Sequence, residues 1–326
     1  MIGAAEPSSR PAPICLLAMS HFQTIMSITS AVMLFIYGLQ ALSREIQEVG
    51  EGVFQSLTER LTKTRVRGYF LGLLLTVFIQ SSTAVSGITV ALIDAGAITF
   101  SNSLAVLLGA HIGTTLTAFL VSLKMTGIGP FFIVLGSLLS FLPLRARIFG
   151  RAIFYFGFVL FALDFLSSAL LPLRESELLR ELLGASASMP LAVLIGFIVT
   201  ALVQSSSVTT GLAVILAQQG AIAAPAAVGV VVGANIGTPL TAIIISVKMS
   251  PGARRAAVAN LLYSAITVLV LFPFLGPFAS LALELGGEPG RATAVAHLLF
   301  NVILSVGFMI FLTPFERLML RLMPAG

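Results

Sequence analysis

Residues 72–83 read GLLLTVFIQSST and residues 196–207 read GFIVTALVQSSS. In each stretch a glutamine and a run of hydroxyls, Gln80-Ser81-Ser82-Thr83 and Gln204-Ser205-Ser206-Ser207, interrupts sequence otherwise apolar enough to sit in lipid. The offset of 124 residues holds without a gap from Gly72–Met125 to Gly196–Met249, with 23 identities in 54 positions, so the chain contains a duplication. A repeated membrane unit with a polar break in the middle of each copy is the pattern expected of a secondary transporter, whose site lies near the bilayer midplane between the repeats.

Composition supports the membrane reading. Hydrophobic residues make up 57% of the 326 and charged residues only 10%, and the mean hydropathy is +1.05; a soluble globular domain is excluded on these grounds. The net charge of +5 does not point to nucleic acid, because no aromatic-basic platform or zinc pattern accompanies it and most Lys and Arg fall between apolar stretches. A single Cys15 rules out an internal disulfide and a thiolate metal site.

These patterns predict an all-α integral membrane protein, an inverted-repeat transporter with two re-entrant helical hairpins and about seven spanning helices, some of them discontinuous. The expected order is a flexible tail at 1–20, a first span at 21–43, an amphipathic interfacial helix at 44–67, repeat 1 at 68–171, an interfacial linker at 172–189, repeat 2 at 190–314 and a C-terminal tail at 315–326. Crossings are expected near 22–42, 99–123, 128–144, 150–171, 223–247, 254–276 and 292–314. The repeats open with hairpins 68–96 and 190–220, whose arms of about 12 residues reach only about 18 Å each, enough for the midplane. Three crossings between the hairpins make them insert from opposite faces. Thirteen Lys and Arg then share one side against five on the other, which marks the first side, with the C-terminus, as cytoplasmic and puts the N-terminus outside.

After each hydroxyl run a second apolar arm begins, so Ser81, Ser82 and Thr83, like Ser205, Ser206 and Ser207, stand at the N-terminus of a half-helix. Unpaired backbone N–H groups, a favourable dipole end and hydroxyl donors converge there, a combination suited to an oxyanion. Gln80 and Gln204 add amides that donate to an anion or ligate a cation through oxygen. A bland alternative is that Ser and Thr in membrane helices bond back to their own carbonyls or join helices. Gly-flanked breaks follow at the same offset, Gly109-Ala110-His111-Ile112-Gly113-Thr114 and Gly233-Ala234-Asn235-Ile236-Gly237-Thr238, and are expected to free backbone carbonyls suited to sodium. No Lys or Arg lies within either hydroxyl run or either break, so an anion held there requires cations bound with it. Asp164, inside an apolar span, is a candidate cation or proton site; Asp94 reads as a helix-end residue. His111 stands where the second copy has Asn235 and either imitates an amide or makes transport sensitive to pH.

At these residues the chain resembles the type II sodium-dependent phosphate cotransporter family in its shorter bacterial form. The resemblance rests on the two Gln-Ser-Ser hairpins with the breaks that follow them, on Ala253-Arg254-Arg255-Ala256, and on His297-Leu298-Leu299-Phe300-Asn301. It implies sodium-coupled symport of inorganic phosphate across the bacterial inner membrane. Phosphate would be held by Gln80, Ser81, Ser82, Thr83, Gln204, Ser205, Ser206 and Ser207. Sodium would lie near Gln80, Ser82, Gln204 and Ser206 and near His111, Thr114, Asn235 and Thr238. No cofactor is implied, sodium being a co-transported substrate; the partners are phosphate, sodium and the lipid bilayer, and a homo-oligomer stays open. Thr83, His111 and Pro239 depart from the family's Ser, Asn and Thr. Another small oxyanion or carboxylate as substrate, or an anion channel or exporter, are the alternatives. An enzyme is not expected, since nothing pairs His21, His111 or His297 with a hydroxyl run as base and nucleophile.

Overall fold

The computed structural model describes residues 14–61, 64–123, 127–142, 145–171 and 188–324, and all regular structure among them is helical. The tail call 1–20 lies mostly, and the linker 172–189 almost wholly, outside the described residues. α1 (Ile14–Leu61) is one continuous helix of 48 residues. It runs on past 43, where a span and a separate surface helix are expected from the charge pattern. No proline occurs between residues 14 and 61 to interrupt the hydrogen-bond ladder.

The first copy is built from α2 (Arg65–Ile79), α3 (Ser82–Asp94), α4 (Phe100–Gly113), α5 (Thr115–Ser122), α6 (Gly129–Ser140) and α7 (Arg145–Ala169). The second begins with α8 (Met189–Val203), α9 (Ser206–Gln218), α10 (Ala224–Gly237), α11 (Leu240–Ser246) and α12 (Pro251–Leu271). A short turn leads on to α13 (Leu275–Gly286), α14 (Pro289–Ile310) and α15 (Leu312–Leu322). The offset of the repeat maps α2–α5 onto α8–α11 element by element.

Among the described residues six stretches are long and apolar enough to cross a membrane: Phe22–Ile46, Phe100–Ser122, Phe149–Ala169, Ala224–Ser246, Pro251–Gly286 and Pro289–Ile310. They coincide with six of the seven expected crossings. The seventh, 128–144, holds α6, whose 12 residues rise only about 18 Å against a hydrocarbon core of about 30 Å. The hairpin arms are equally short, 15 residues in α2 and α8 and 13 in α3 and α9.

Glycine sets how closely the arms approach their neighbours. A Cβ built on Gly72 of α2 would lie 1.9 Å from the Val106 carbonyl oxygen of α4, and one on Gly109 would lie 1.8 Å from that of Tyr69. The second copy repeats the seam, with Gly196 at 2.0 Å from the Val230 oxygen and Gly233 at 1.9 Å from that of Val193. Each first arm is therefore pressed backbone to backbone against the helix that carries the Gly-flanked break.

The largest core joins α3, α4, α10, α12, α14 and α15 around Leu104, Leu108, Phe300 and Leu304. Tyr263, Phe308 and Phe315 close it with ring centroids 4.6 to 5.0 Å apart. A second core packs Phe35 and Leu39 of α1 against Val159 and Leu166 of α7 and Ile215 of α9. Outward-facing Phe131, Leu138, Leu202, Leu269 and Ile310 stay exposed, as side chains solvated by lipid are. Asp94 is the helix-end residue expected of it: its carboxylate accepts the Ser250 N–H at 2.6 Å, at the start of α12. Its counterpart Gln218 donates to the Ser122 carbonyl at 3.0 Å, at the end of α5.

One interior difference between the copies is directly testable. Thr200 donates to Thr209 at 2.8 Å, whereas the equivalent Thr76 hydroxyl is buried without a partner, because Val85 stands where the second copy has Thr209. Val85→Thr is expected to stabilise the protein by about 1 kcal/mol, and Thr209→Val to destabilise it by about 1–3 kcal/mol by orphaning Thr200. Opposite shifts of the melting temperature in detergent check this pair.

Candidate functional site

Both hairpins turn in the same way. α2 ends on Gln80 with φ 55° and ψ 24°, and α8 ends on Gln204 with φ 57° and ψ 26°. These are the only non-glycine residues with positive φ among those described. The left-handed turn lets each glutamine N–H close on the carbonyl of Thr76 or Thr200, both at 2.7 Å, which stops the helix. A residue with a Cβ in that region costs roughly 1–2 kcal/mol, so the same strain held at two equivalent tips is a mark of function. Ser81 and Ser205 then extend and cap the next helices, accepting the Ala84 N–H at 3.1 Å and the Val208 N–H at 3.4 Å. The N-termini of α3 and α9 begin one residue later.

The two tips meet. The Thr83 hydroxyl donates to the Gln204 carbonyl at 3.5 Å, and a single cavity of about 420 Å³ is lined by Gln80, Ser81, Ser82, Thr83, Gln204, Ser205, Ser206 and Ser207. All eight residues read from the two hydroxyl runs are thus gathered in one place. Their commitments differ. Ser81 and Ser205 are engaged as caps, whereas the hydroxyls of Ser82, Ser206 and Ser207 make no hydrogen bond among the described residues and line the cavity. Gln80 is held at both ends of its amide: its oxygen accepts from Thr117 at 2.7 Å and its nitrogen donates to the Val77 carbonyl. Gln204 is exposed and carries no such bonds.

The rest of the expected sodium set lies elsewhere. Thr114 and Thr238 bond back to the carbonyls of Ala110 at 3.1 Å and Ala234 at 3.2 Å, and Asn235 donates to Val231 at 2.8 Å. None of these three lines the tip cavity. The breaks are kinks rather than open turns, since Thr114 keeps a helical φ of −63° and ψ of −26°. The Thr115 hydroxyl takes the Ile112 carbonyl at 2.8 Å, so threonine hydroxyls occupy carbonyls that the Gly-flanked sequence suggested were open to cations.

His111 is buried and sits 3.0 Å, through Nε2, from the Asn260 oxygen. An acceptor there places a proton on Nε2. Asn260 in turn donates to Ser86 at 3.2 Å, so His111 acts as an amide would, joining α4 to α12 and α3. His297 and Asn301, known from sequence only as family markers, are buried behind it on α14. Asp164 is half-buried near the end of α7, where its carboxylate accepts the Gly127 N–H at 2.8 Å. It lines a separate cavity of about 360 Å³ with Ser167, Ser168 and Gln218.

Reading the repeat alone missed two contributions. Gln40, Ser43 and Arg44 of α1 line the tip cavity, and Ser43 donates to the Ile79 carbonyl at the end of α2. Their spacing of i, i+3, i+4 on an otherwise apolar helix is the signal that identifies the stripe. Thr117, three residues past the first Gly-flanked break, fixes Gln80.

Comparisons with known proteins give the family of the chain. A family model described as Na+/Pi-cotransporter matches residues 34–168 and 168–276. The chain is similar to the uncharacterized protein YqeW of Bacillus subtilis, at 28% identity over 82% of this chain and 88% of that protein. It is similar to the putative inorganic phosphate export protein YjbB of Salmonella typhimurium, at 27% identity over 80% of this chain; that alignment spans about half of the relative, 49%. Human sodium-dependent phosphate transport protein 2B is 34% identical over 38% of this chain and 20% of its own length. No solved structure matches the chain.

Proposed function

Because this chain belongs to the Na+/Pi-cotransporter family, we propose that it carries inorganic phosphate together with sodium across the bacterial inner membrane, by alternating access around the tip cavity. The observation that carries the reading is the meeting of two strained hairpin tips, each a half-helix N-terminus with uncommitted serine hydroxyls, in one cavity. In this reading Ser82, Ser206 and Ser207 donate to phosphate with the N–H groups at the starts of α3 and α9. Sodium binds beside them through hydroxyl and Gln204 amide oxygens, and its charge offsets the desolvation of the anion. In this reading the hairpins are re-entrant and the repeats inverted, which requires the stretch 128–144 to complete a third crossing around the short α6, with the C-terminus cytoplasmic and the N-terminus outside.

Alternating access is supported by an asymmetry between the copies. Thr117 holds Gln80 at 2.7 Å, whereas the equivalent Thr241 hydroxyl is buried without a partner and Gln204 is exposed. Exchange of this contact between the two tips is what an inverted repeat would do as the cavity changes sides.

The name of the Salmonella relative specifies export, and that of the human relative specifies sodium dependence without a direction. A coupled carrier runs either way, as its gradients dictate. Purified protein in liposomes is expected to accumulate radiolabelled phosphate when an inward sodium gradient is imposed and not when potassium replaces sodium. Uptake indifferent to the sodium gradient would overturn the coupling and favour a channel or exporter.

A further inference from the structure

We propose that Arg44 is the cationic ligand of the transported anion, supplied to the tip cavity by a helix outside the repeat; the inference rests on the oxyanion reading of that cavity. Among the described residues Arg44 is the only charged side chain that lines it. It follows Ser43, which is tied to the end of α2 through the Ile79 carbonyl, so α1 is fixed against the first tip. Among the described residues no carboxylate pairs with Arg44, and its neighbour Glu45 turns to Arg151 at 2.9 Å. An arginine near the end of an apolar span, with no acid against it, is a functional candidate by default.

The position also suits an approach route. Arg44 and Gln40 line both the tip cavity and a smaller adjoining one of about 150 Å³, shared with Tyr37, Glu45 and Tyr155. A guanidinium at this junction offers planar paired donors to an oxyanion. The serine hydroxyls and helix termini of the tips supply only partial charges. Arg44 therefore changes the electrostatic requirement drawn from the motifs alone: one unit of the anion's charge is met by the protein, and sodium must meet the remainder.

The test compares wild type with Arg44→Gln, Arg44→Lys and Arg147→Gln, the last removing an exposed arginine on α7. Equilibrium binding of radiolabelled phosphate at saturating sodium, and phosphate KM and kcat in liposomes, are the readouts. Arg44→Gln is expected to raise the phosphate Kd and KM roughly tenfold with a smaller change in kcat, as loss of a charge-assisted contact does. Arg44→Lys should recover part of that affinity, and Arg147→Gln should match wild type. Binding by Arg44→Gln within twofold of wild type, or Arg44→Lys no better than Arg44→Gln in a monodisperse preparation, would overturn the assignment. Should the wild type bind sulfate instead of phosphate, the phosphate reading fails, and the same ranking of variants against sulfate still decides the role of Arg44.

Discussion

Gly233→Ala is expected to abolish the folded protein, the largest effect of any single substitution described here. The added Cβ would stand 1.9 Å from the Val193 carbonyl oxygen and 2.9 Å from the Phe197 nitrogen. Both are backbone atoms of α8, which no rotamer change can move. Overpacking of a core typically costs 1–3 kcal/mol; here two helices must separate along the whole seam, so a loss of about 3 kcal/mol or more is expected, a large share of ordinary stability. Gly109→Ala meets the Tyr69 oxygen at 1.8 Å and should behave alike. Gly307→Ala is the control: nothing lies within 4 Å of its added Cβ in α14, and replacing a mid-helix glycine should stabilise by about 0.5–1 kcal/mol. Size-exclusion profiles of heated detergent extracts check all three, and a monodisperse, heat-stable Gly233→Ala protein would contradict the backbone seam.

Ser82→Ala and Ser206→Ala are expected to remove most sodium-dependent phosphate uptake while leaving the protein in the membrane. Neither hydroxyl is engaged within the protein, and both line the tip cavity, so their loss removes ligand contacts and little else. A hydrogen bond to a charged partner is worth about 1.5–3 kcal/mol, hence a rise in phosphate KM of roughly tenfold to a hundredfold. Ser81→Ala should differ in kind. Its hydroxyl caps α3 through the Ala84 N–H, and removing such a cap costs about 1 kcal/mol of stability. Melting temperatures should therefore fall for Ser81→Ala and hold for Ser82→Ala. Undiminished uptake by both Ser82→Ala and Ser206→Ala would contradict the assignment of the cavity.

The duplication made the hairpins and their hydroxyl tips legible, because an offset of 124 residues turns two weak motifs into one strong pattern, while six long apolar helices were legible from their length and composition. The residues outside the duplication were hidden for the same reason. Arg44 has no repeat partner and reads as one more basic residue beyond the first span, although α1 brings it to the tips. The length of α6 was overstated, since apolar residues through Leu144 suggest a crossing and α6 ends at Ser140. The Gly-flanked breaks were read as sources of open carbonyls; the threonines that follow the glycines bond to the carbonyls of Ala110, Ile112 and Ala234, a detail that sequence does not show. Of the two readings of His111, the contact with Asn260 at 3.0 Å fits a ring that stands in for an amide.

The outer ends of the second arms are fastened crosswise. Asp94 of the first hairpin holds the start of α12 in the second repeat, and Gln218 of the second hairpin holds the end of α5 in the first. Bracing of this sort transmits torque: a tilt in one half drags the far end of the other half's loop with it. In the proposed alternating-access cycle such bracing would gear the two mouths together, so that one shuts as its opposite widens and an unaccompanied ion finds no moment at which both stand ajar.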